Sequence, residues 1–519
     1  MSEVDAPATS TSEVPPSGGP TASEAREFAA AFRSFLEWVH RTGEAATANP
    51  VVALVTDFLG EAGVAHSVVT RQLPPFEHVN LQAALDAWTA QPGRDVQVHG
   101  LALPPHFGGI SLQQLISGEA LPPLRLSAPG LVDLPDGPGT TRACLTSALL
   151  LVTDPQGSYV VMVAGPGEHR PDLVVEVAGL PVATTQALLA ELDELRSRLN
   201  VYRGHVVEVT ASPMGGARLT FADLPATTRD AVVLPEVVLA RVERHALGVA
   251  EHRAALLAAG QHLKRGLLLY GPPGTGKTHT TRYLVGQMTD YTRLLLSGRS
   301  LHLVGSVTEL ARELQPAVVV LEDVDLVAED RSFGPGANPV LFELLDAMDG
   351  AAGDADLLFL LTTNRADLLE TALAARPGRV DVAVEIDLPD DDSRRRLLLL
   401  YGRGVPLQLT EADVDEAVTR TEGVTASFLK ELIRRAVLES LRESSPLTTV
   451  TAVHLSGALD DLLDSSQHIT RALLGVGVDP TTLPPGGGTG GPGWQPGMHG
   501  MPMRGHGRSG GWFAFGNGG

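Results

Sequence analysis

An α/β protein built on a parallel sheet is what this sequence predicts, and three stretches predict it. The octapeptide GPPGTGKT, Gly271 to Thr278, directly follows the apolar run GLLLY and opens a helical pattern. A second apolar run, AVVVLEDVD, ends in acidic residues about 45 positions later, and a third, DADLLFLLTTNR, ends at Asn364. Apolar runs that alternate with helical patterns are the signature of parallel strands joined by helical crossovers.

Composition bounds the rest. At 519 residues the chain exceeds one ordinary domain, and roughly 150 residues per domain implies two to four. Apolar residues make up 43%, enough for buried cores, and aromatics only 4%, so Leu, Val and Ala must fill them. The 61 acidic residues outnumber 39 basic ones, a net charge of −22 that opposes broad contact with nucleic-acid phosphates or anionic membranes. Lysine is confined to Lys264, Lys277 and Lys430, leaving 36 of the 39 basic residues as arginine. A lone Cys144, inside ACLTSALLL, excludes an intramolecular disulfide and a four-cysteine zinc site, and reads as a buried thiol. The first 24 residues contain no apolar signal core, and no apolar run approaches the roughly 18–20 residues that span a bilayer. The expectation is a soluble, cytoplasmic protein without a membrane partner.

In chain order, residues 1–24 are rich in Pro, Ser, Thr and Glu, a composition that predicts disorder. From Ala25 the spacing of Phe28, Phe32, Phe35, Leu36 and Val39 has helical period and opens a separate mixed α+β N-terminal domain, 25–205. Within it SYVVMVAG and DLVVEVAG flank the turn-rich PGEHRP as a hairpin, and ATTQALLAELDELRSRL closes the region as a helix. HVVEVT reads as a strand within a linker, 206–228. The α/β unit takes 229–391, a purely helical unit 392–475. The tail 476–519 holds 15 glycines in its last 36 residues, too many for a packed core.

The octapeptide is a full match to G-x-x-x-x-G-K-[ST] in the required strand–loop–helix context. Its backbone N–H groups close around phosphates and the following helix adds its positive end. Gly271, Pro272, Pro273, Gly274, Thr275, Gly276, Lys277 and Thr278, with His279 after them, are the nucleotide-binding candidates. Lys277 is expected on the β- and γ-phosphate oxygens and Thr278 on Mg²⁺, so ATP and Mg²⁺ are the expected ligands. At the end of AVVVLEDVD, counting apolar positions puts Glu322 on the metal and Asp323 in the role of base. The other register puts Asp323 on the metal and leaves Val324 where the base should be, which would stop hydrolysis. Asn364 is placed to hold the lytic water and the γ-phosphate. Arg376 and Arg379, in ARPGR, suit insertion into a neighbouring copy's site as arginine fingers.

Together these residues resemble the AAA ATPases of the wider AAA+ class, over about Leu234 to Leu474. The resemblance rests on GPPGTGKT, PAVVVLEDVD, LLDAMDG, LLTTNRADLLETALAARPGRVDVAVEIDLPD and TEGVTASFLKELIRRAV. It implies a P-loop NTPase sheet with a helical lid. By the same resemblance Asn364 is sensor 1, Arg376 and Arg379 are paired fingers, and Ala426 and Ser427 are small lid residues against the nucleotide. It also implies a hexameric ring with each site between two protomers. LKRGLLLYGPPGTGKT and the Glu-Asp order are similar to the branch containing the mitochondrial Rieske-protein translocase. Two departures bear on function. The stretch LHLVGSV puts Leu303 and Val304 where the family's pore loop usually grips a polypeptide with an aromatic-apolar pair, and Asp349-Gly350 is followed by Ala351 where phenylalanine is usual.

The chain contains no His-Glu-x-x-His, so the zinc site of membrane-anchored AAA proteases is absent from it. Trp494, Trp512, Phe513 and Phe515 in the glycine-rich tail are a candidate docking motif. Two functions follow as expectations. One is an ATP-hydrolysing ring that remodels or assembles a protein client recognised by residues 25–205. The other is a scaffold switched by nucleotide, with slow or no hydrolysis. A motor or loader acting on nucleic acid is opposed by the acidic balance.

Overall fold

The computed structural model describes residues 28, 31–34, 49–102, 109–118, 121, 124–167, 171–212, 216–328, 355–365, 380–443 and 445–464. The segment 1–24, the helix expected from Ala25 apart from its helical residues 28 and 31–34, the tail, Asp349 to Ala351, Arg376 and Arg379 lie outside them.

The N-terminal half runs α1 (Pro50–Val64), β1 (Val69–Leu73), α2 (His78–Thr89), β2 (Asp95–Ala102), α3 (Leu112–Ser117), β3 (Arg125–Ser127), β4 (Gly130–Gly137), β5 (Thr140–Asp154), β6 (Gly157–Ala164), β7 (Leu173–Ala178) and α4 (Val182–Arg198). Its strands pair antiparallel in the order β1-β7-β6-β5-β2-β3, with β4 also on β5. The expected hairpin is β6–β7, and the expected closing helix is α4. Residues 148–152 of β5 and 159–163 of β6 are continuous buried apolar runs, and β7 is buried throughout, because helices cover both faces. Leu85 and Trp88 of α2 and Leu188 and Leu192 of α4 pack on one face, and Val51, Val55, Leu112 and Leu115 of α1 and α3 on the other.

A second sheet follows from β8 (Val206–Ala211), β9 (Ala217–Phe221), α5 (Glu236–Glu251), α6 (Arg253–Ala258), β10 (Arg265–Tyr270), α7 (Lys277–Gln287), β11 (Thr292–Ser297), α8 (Val304–Glu313), β12 (Ala317–Glu322), α9 (Asp325–Ala328), β13 (Leu357–Thr363) and β14 (Val382–Glu385). Its order is β14-β10-β13-β12-β11-β8-β9, parallel from β14 to β8. Period-2 side-chain alternation splits each central strand between two cores. Ala317, Val319 and Leu321 of β12 join Leu357, Phe359 and Leu361 of β13 on one face. Val318, Val320, Leu358 and Leu360 join α5 and α7 on the other.

Two expectations are corrected here. The stretch 206–228 is not merely a linker: β8 pairs parallel with β11 and turns back antiparallel into β9, extending the sheet. Val207 and Val209 are buried in its core, with Phe221 packed against them, and that apolar alternation is what recruits the hairpin. Leu303 and Val304 do not form an exposed grip. Leu303 ends a 3-10 turn, and Val304 opens α8 fully buried, because Val304, Val307, Thr308 and Ala311 recur at helical spacing and face the sheet. The same core takes in Val79, Cys144 and Tyr202 from the N-terminal half. Arg203 adds polar ties across that boundary, donating to the carbonyls of Glu313 (2.8 Å) and Gln315 (3.0 Å).

The last unit contains α10 (Asp391–Tyr401), β15 (Leu407–Gln408), α11 (Glu411–Arg420), α12 (Ala426–Glu443), β16 (Val450–Thr451) and α13 (Ala452–Leu463). Expected to be purely helical, it also carries the short parallel pair β15–β16. No helix among the described residues is long and apolar enough to cross a membrane.

Candidate active site

The site begins where β10 ends. Gly271, Gly274 and Gly276 all have positive φ, at 143°, 79° and 108°. A Cβ on Gly271 would lie 2.3 Å from the Ile386 carbonyl, and one on Gly274 would lie 2.9 Å from Ser427 Oγ. Only glycine satisfies both the dihedral and the space, so the loop wraps tightly enough to turn its N–H groups inward. Thr275 Oγ1 braces the loop by donating to the Pro272 carbonyl at 2.9 Å.

Lys277 opens α7 and is 6% exposed. Its ammonium donates to the carbonyls of Gly271 and Pro272, both at 2.8 Å. Burial lowers its pKa to about 8, against the opposing pull of Asp323 and Asp325. Thr278, next on the helix, hydrogen-bonds the Glu322 carboxylate at the end of β12. Burial raises the Glu322 pKa, the neighbouring Arg282 opposes that, and Asp323 adds to it.

Asp323 follows the strand with φ +53°, an uncommon dihedral for a side-chain-bearing residue, stabilised by its N–H donating to Thr362 Oγ1 at 3.0 Å. Burial and the nearby Asp325 raise its pKa, while Lys277 and Asn364 lower it. Asn364 Nδ2 donates to Asp323 Oδ1 at 3.5 Å. Val324 is buried in the core beneath the sheet.

One side chain in this cluster escaped the sequence reading. Asp325, the third carboxylate of EDVD, is buried and accepts from Thr363 Oγ1 (3.0 Å) and from the Asn364 backbone N–H (3.1 Å). It ties the ends of β12 and β13 together and so sets where Asn364 stands. The signal was present as an acid three residues beyond the first, a spacing that is uninformative without the turn that folds it back.

The lid unit closes the site from above. Ser427 at the start of α12 donates twice to the Gly274 carbonyl, from its N–H at 3.1 Å and its hydroxyl at 3.3 Å. A cavity of about 670 Å³ lies between loop and lid, lined by Gly274, Gly276, Lys277, Thr278, Asp323, Asn364, Ala426 and Ser427. Arg282, Tyr401 and Lys430 also line it and were not expected. His279 lines it as well, donating through Nε2 to the Ala231 carbonyl at 3.0 Å. The structure thus gathers the expected loop, strand-end and lid residues, while Arg376 and Arg379 lie outside the described residues.

The donor set fits a nucleoside triphosphate with Mg²⁺. The loop N–H groups and Lys277 match phosphate oxygens, and Thr278 with Glu322 matches a hard cation. No group of three or more His, Cys, Asp or Glu among the described residues forms a metal site alone, so such a cation needs oxygens from the nucleotide or water.

The Lys277 pKa carries a measurable consequence. Phosphates bound here would favour the charged ammonium, so nucleotide affinity is expected to be near its plateau at pH 7, to be falling already at pH 8 and to drop further as the lysine deprotonates. ATP binding is expected to be about tenfold weaker at pH 9 than at pH 7, read by calorimetric titration. A flat profile would mean the lysine keeps its proton and makes no such linkage.

Residues 267–388 match the family model described as ATPase family associated with various cellular activities (AAA). The ATP-dependent zinc metalloprotease FtsH of Mycobacterium bovis is 30% identical over 285 residues, covering 50% of this chain and 37% of that protein. FtsH 1 of Conexibacter woesei is 30% identical over 291 residues, covering 53% and 43%. The chain therefore spans about two fifths of the length of these relatives. Among solved structures, the AAA domain of FIGL-1 in complex with ADP matches at 22% identity and a TM-score of 0.39, over 48% of this chain and 91% of that one. The region from β10 to β14 is thus an AAA ATPase domain with homology to the AAA modules of FtsH proteins.

Proposed function

We propose that this protein binds and hydrolyses ATP as a ring of copies, and couples the nucleotide cycle to remodelling or assembly of a protein client. The observation that carries the reading is the convergence of Lys277, Thr278, Asp323 and Asn364 on one cavity beneath the lid. AAA ATPases often form ring oligomers that act on proteins. Six copies, a client bound through the N-terminal half and docking by the aromatic tail are the specific form proposed here.

In this mechanism the loop amides and Lys277 hold the phosphate chain and draw charge from the oxygens that become more negative as the γ-phosphate leaves. Mg²⁺, held by Thr278 and Glu322 together with the nucleotide, would supply further charge neutralisation. Asp323 accepts a proton from the attacking water, which Asn364 orients, giving ADP and phosphate. The raised Asp323 pKa suits a base that must take up a proton. Support for this register over the alternative comes from Val324, which is buried away from the cavity. Arg376 and Arg379 act on a neighbouring copy. The Glu-Asp order, like that of the branch containing the Rieske-protein translocase, is part of the same proposal.

A second reading, a nucleotide-switched scaffold with slow turnover, is favoured by two observations. Asp323 is one methylene shorter than glutamate and stands 3.5 Å from Asn364, and the segment expected to grip a polypeptide is buried. Phosphate release per protomer, measured as protein concentration rises with Lys277→Ala as blank, separates the readings. A cooperative rise is expected for the hydrolysing ring. ATP binding without release supports the scaffold, and absence of binding overturns both.

A further inference from the structure

We propose that a groove at the boundary between the N-terminal half and the second sheet binds an extended, basic segment of a partner protein, added as a strand along β1. This gives the client contact of the preceding section a surface and a chemistry, and it rests on that reading only for calling the partner a client.

The sheet edge comes first. β1 ends its sheet, with β7 on one side and no strand on the other among the described residues. An edge of this kind can take up an extended peptide through its outward N–H and C=O groups. Pro74 and Pro75 follow directly, and their missing N–H groups stop such a pairing at Leu73. Where the edge ends, a cavity of about 510 Å³ opens between Leu73, Phe76 and Leu310. Its far wall is one face of α8, because Ser306, Glu309, Leu310 and Glu313 recur at helical spacing.

Charge selects the occupant. Glu77, Asp172, Glu309 and Glu313 line the cavity against one cation, Arg196, which is shared between Glu77 at 2.7 Å and Glu313 at 3.6 Å. Glu309 and Glu313 stand one helical turn apart, an arrangement of like charges that weakens a helix by itself. The carboxylates are too dispersed for a metal ion, since no group of three or more His, Cys, Asp or Glu among the described residues could hold one. A second copy of β1 would bring the same acids face to face, which opposes self-pairing. Arginine or lysine on an extended partner meets both demands, with its stem against Leu73, Phe76 and Leu310 and its charge among the carboxylates. Because the lining comes from both halves, an occupied groove would hold the N-terminal half against α8, the helix that leads into β12.

Fluorescence anisotropy of a labelled synthetic peptide of alternating arginine and valine, titrated with the full chain without nucleotide, tests this. The wild type is expected to bind it in a salt-sensitive way, and the double variant Glu309→Gln, Glu313→Gln to bind it about tenfold more weakly. The double variant Glu251→Gln, Glu422→Gln removes the same charge from exposed positions outside the groove and should bind like the wild type. Equal loss in both double variants overturns the proposal, because the acidic surface as a whole would then be responsible. No loss in the groove variant, or a wild type that does not bind, overturns it too. Two further peptides carry N-methyl groups on the arginine nitrogens alone or on the valine nitrogens alone. Successive N–H groups of a strand point to opposite edges, so one of these is expected to lose binding and the other to keep it. Loss in neither, or in both, excludes strand addition to β1. Binding is read without ATP, so a failure here leaves the nucleotide reading standing, and a failure of hydrolysis leaves this result standing.

Discussion

Replacing Asp323 with asparagine is expected to leave ATP binding within about threefold of wild type and to lower phosphate release by about a hundredfold or more. Asparagine keeps the size and the hydrogen bond to Asn364 but cannot take the water's proton. The positive φ of Asp323 makes this an informative substitution, because asparagine tolerates that backbone region as readily as aspartate does. Phosphate release and nucleotide binding are measured on the same preparations. Unchanged release would remove Asp323 from the role of base and would exclude the other register as well, since that register allows no hydrolysis. Asp323→Glu is the companion variant. If the short carboxylate limits turnover, the added methylene raises it, and if the site is built around aspartate, turnover falls.

The second large effect is on stability and lies at the opposite end of the sheet. Asp356, just before β13, is 1% exposed and receives bonds from Arg265 (3.1 Å) and twice from the Tyr291 hydroxyl (2.9 and 3.0 Å), with Arg253 at 3.3 Å. Arg265 is itself buried, at 3% exposed. Asp356→Ala would strand that guanidinium without its counter-charge, a change that costs about 3–5 kcal/mol when a buried pair is broken from one side. Denaturant titration should show the midpoint falling with little change in slope. A loss below about 1 kcal/mol would mean that water or the remaining carbonyl acceptors of Arg265 take over the charge. Arg253→Ala, removing a half-exposed partner, is expected to cost well under half as much.

Much of the second sheet was legible because its signals are local. A run such as AVVVL is apolar at every position only when both faces are covered, and that points to a central parallel strand. GPPGTGKT is legible for a stronger reason: the glycine dihedrals, the lysine and the helix start must all occur in one short segment. The weaker signals failed where two readings have the same local pattern. ARLTF is short and partly polar, and only pairing with β8 makes it a strand. Leu303 and Val304 are apolar residues near a turn, equally suited to an exposed grip or a buried helix start. The continuation of the pattern through Val307 and Ala311 into a packed face decided for burial.

By itself, then, the sequence determined the strand–loop–helix of the phosphate-loop motif, the order of the central strands' contributions, and the carboxylate and amide that end them. These depend on dihedrals and periodicity within a few residues. Only the tertiary structure decided that Asp325 clasps the ends of β12 and β13, and that Lys430 comes to face the same cavity as Lys277. It alone also decided that the N-terminal half shares a core with the second sheet. Each of these depends on which face of an element meets a partner dozens to hundreds of residues away, and packing selects that face after the local pattern has allowed several.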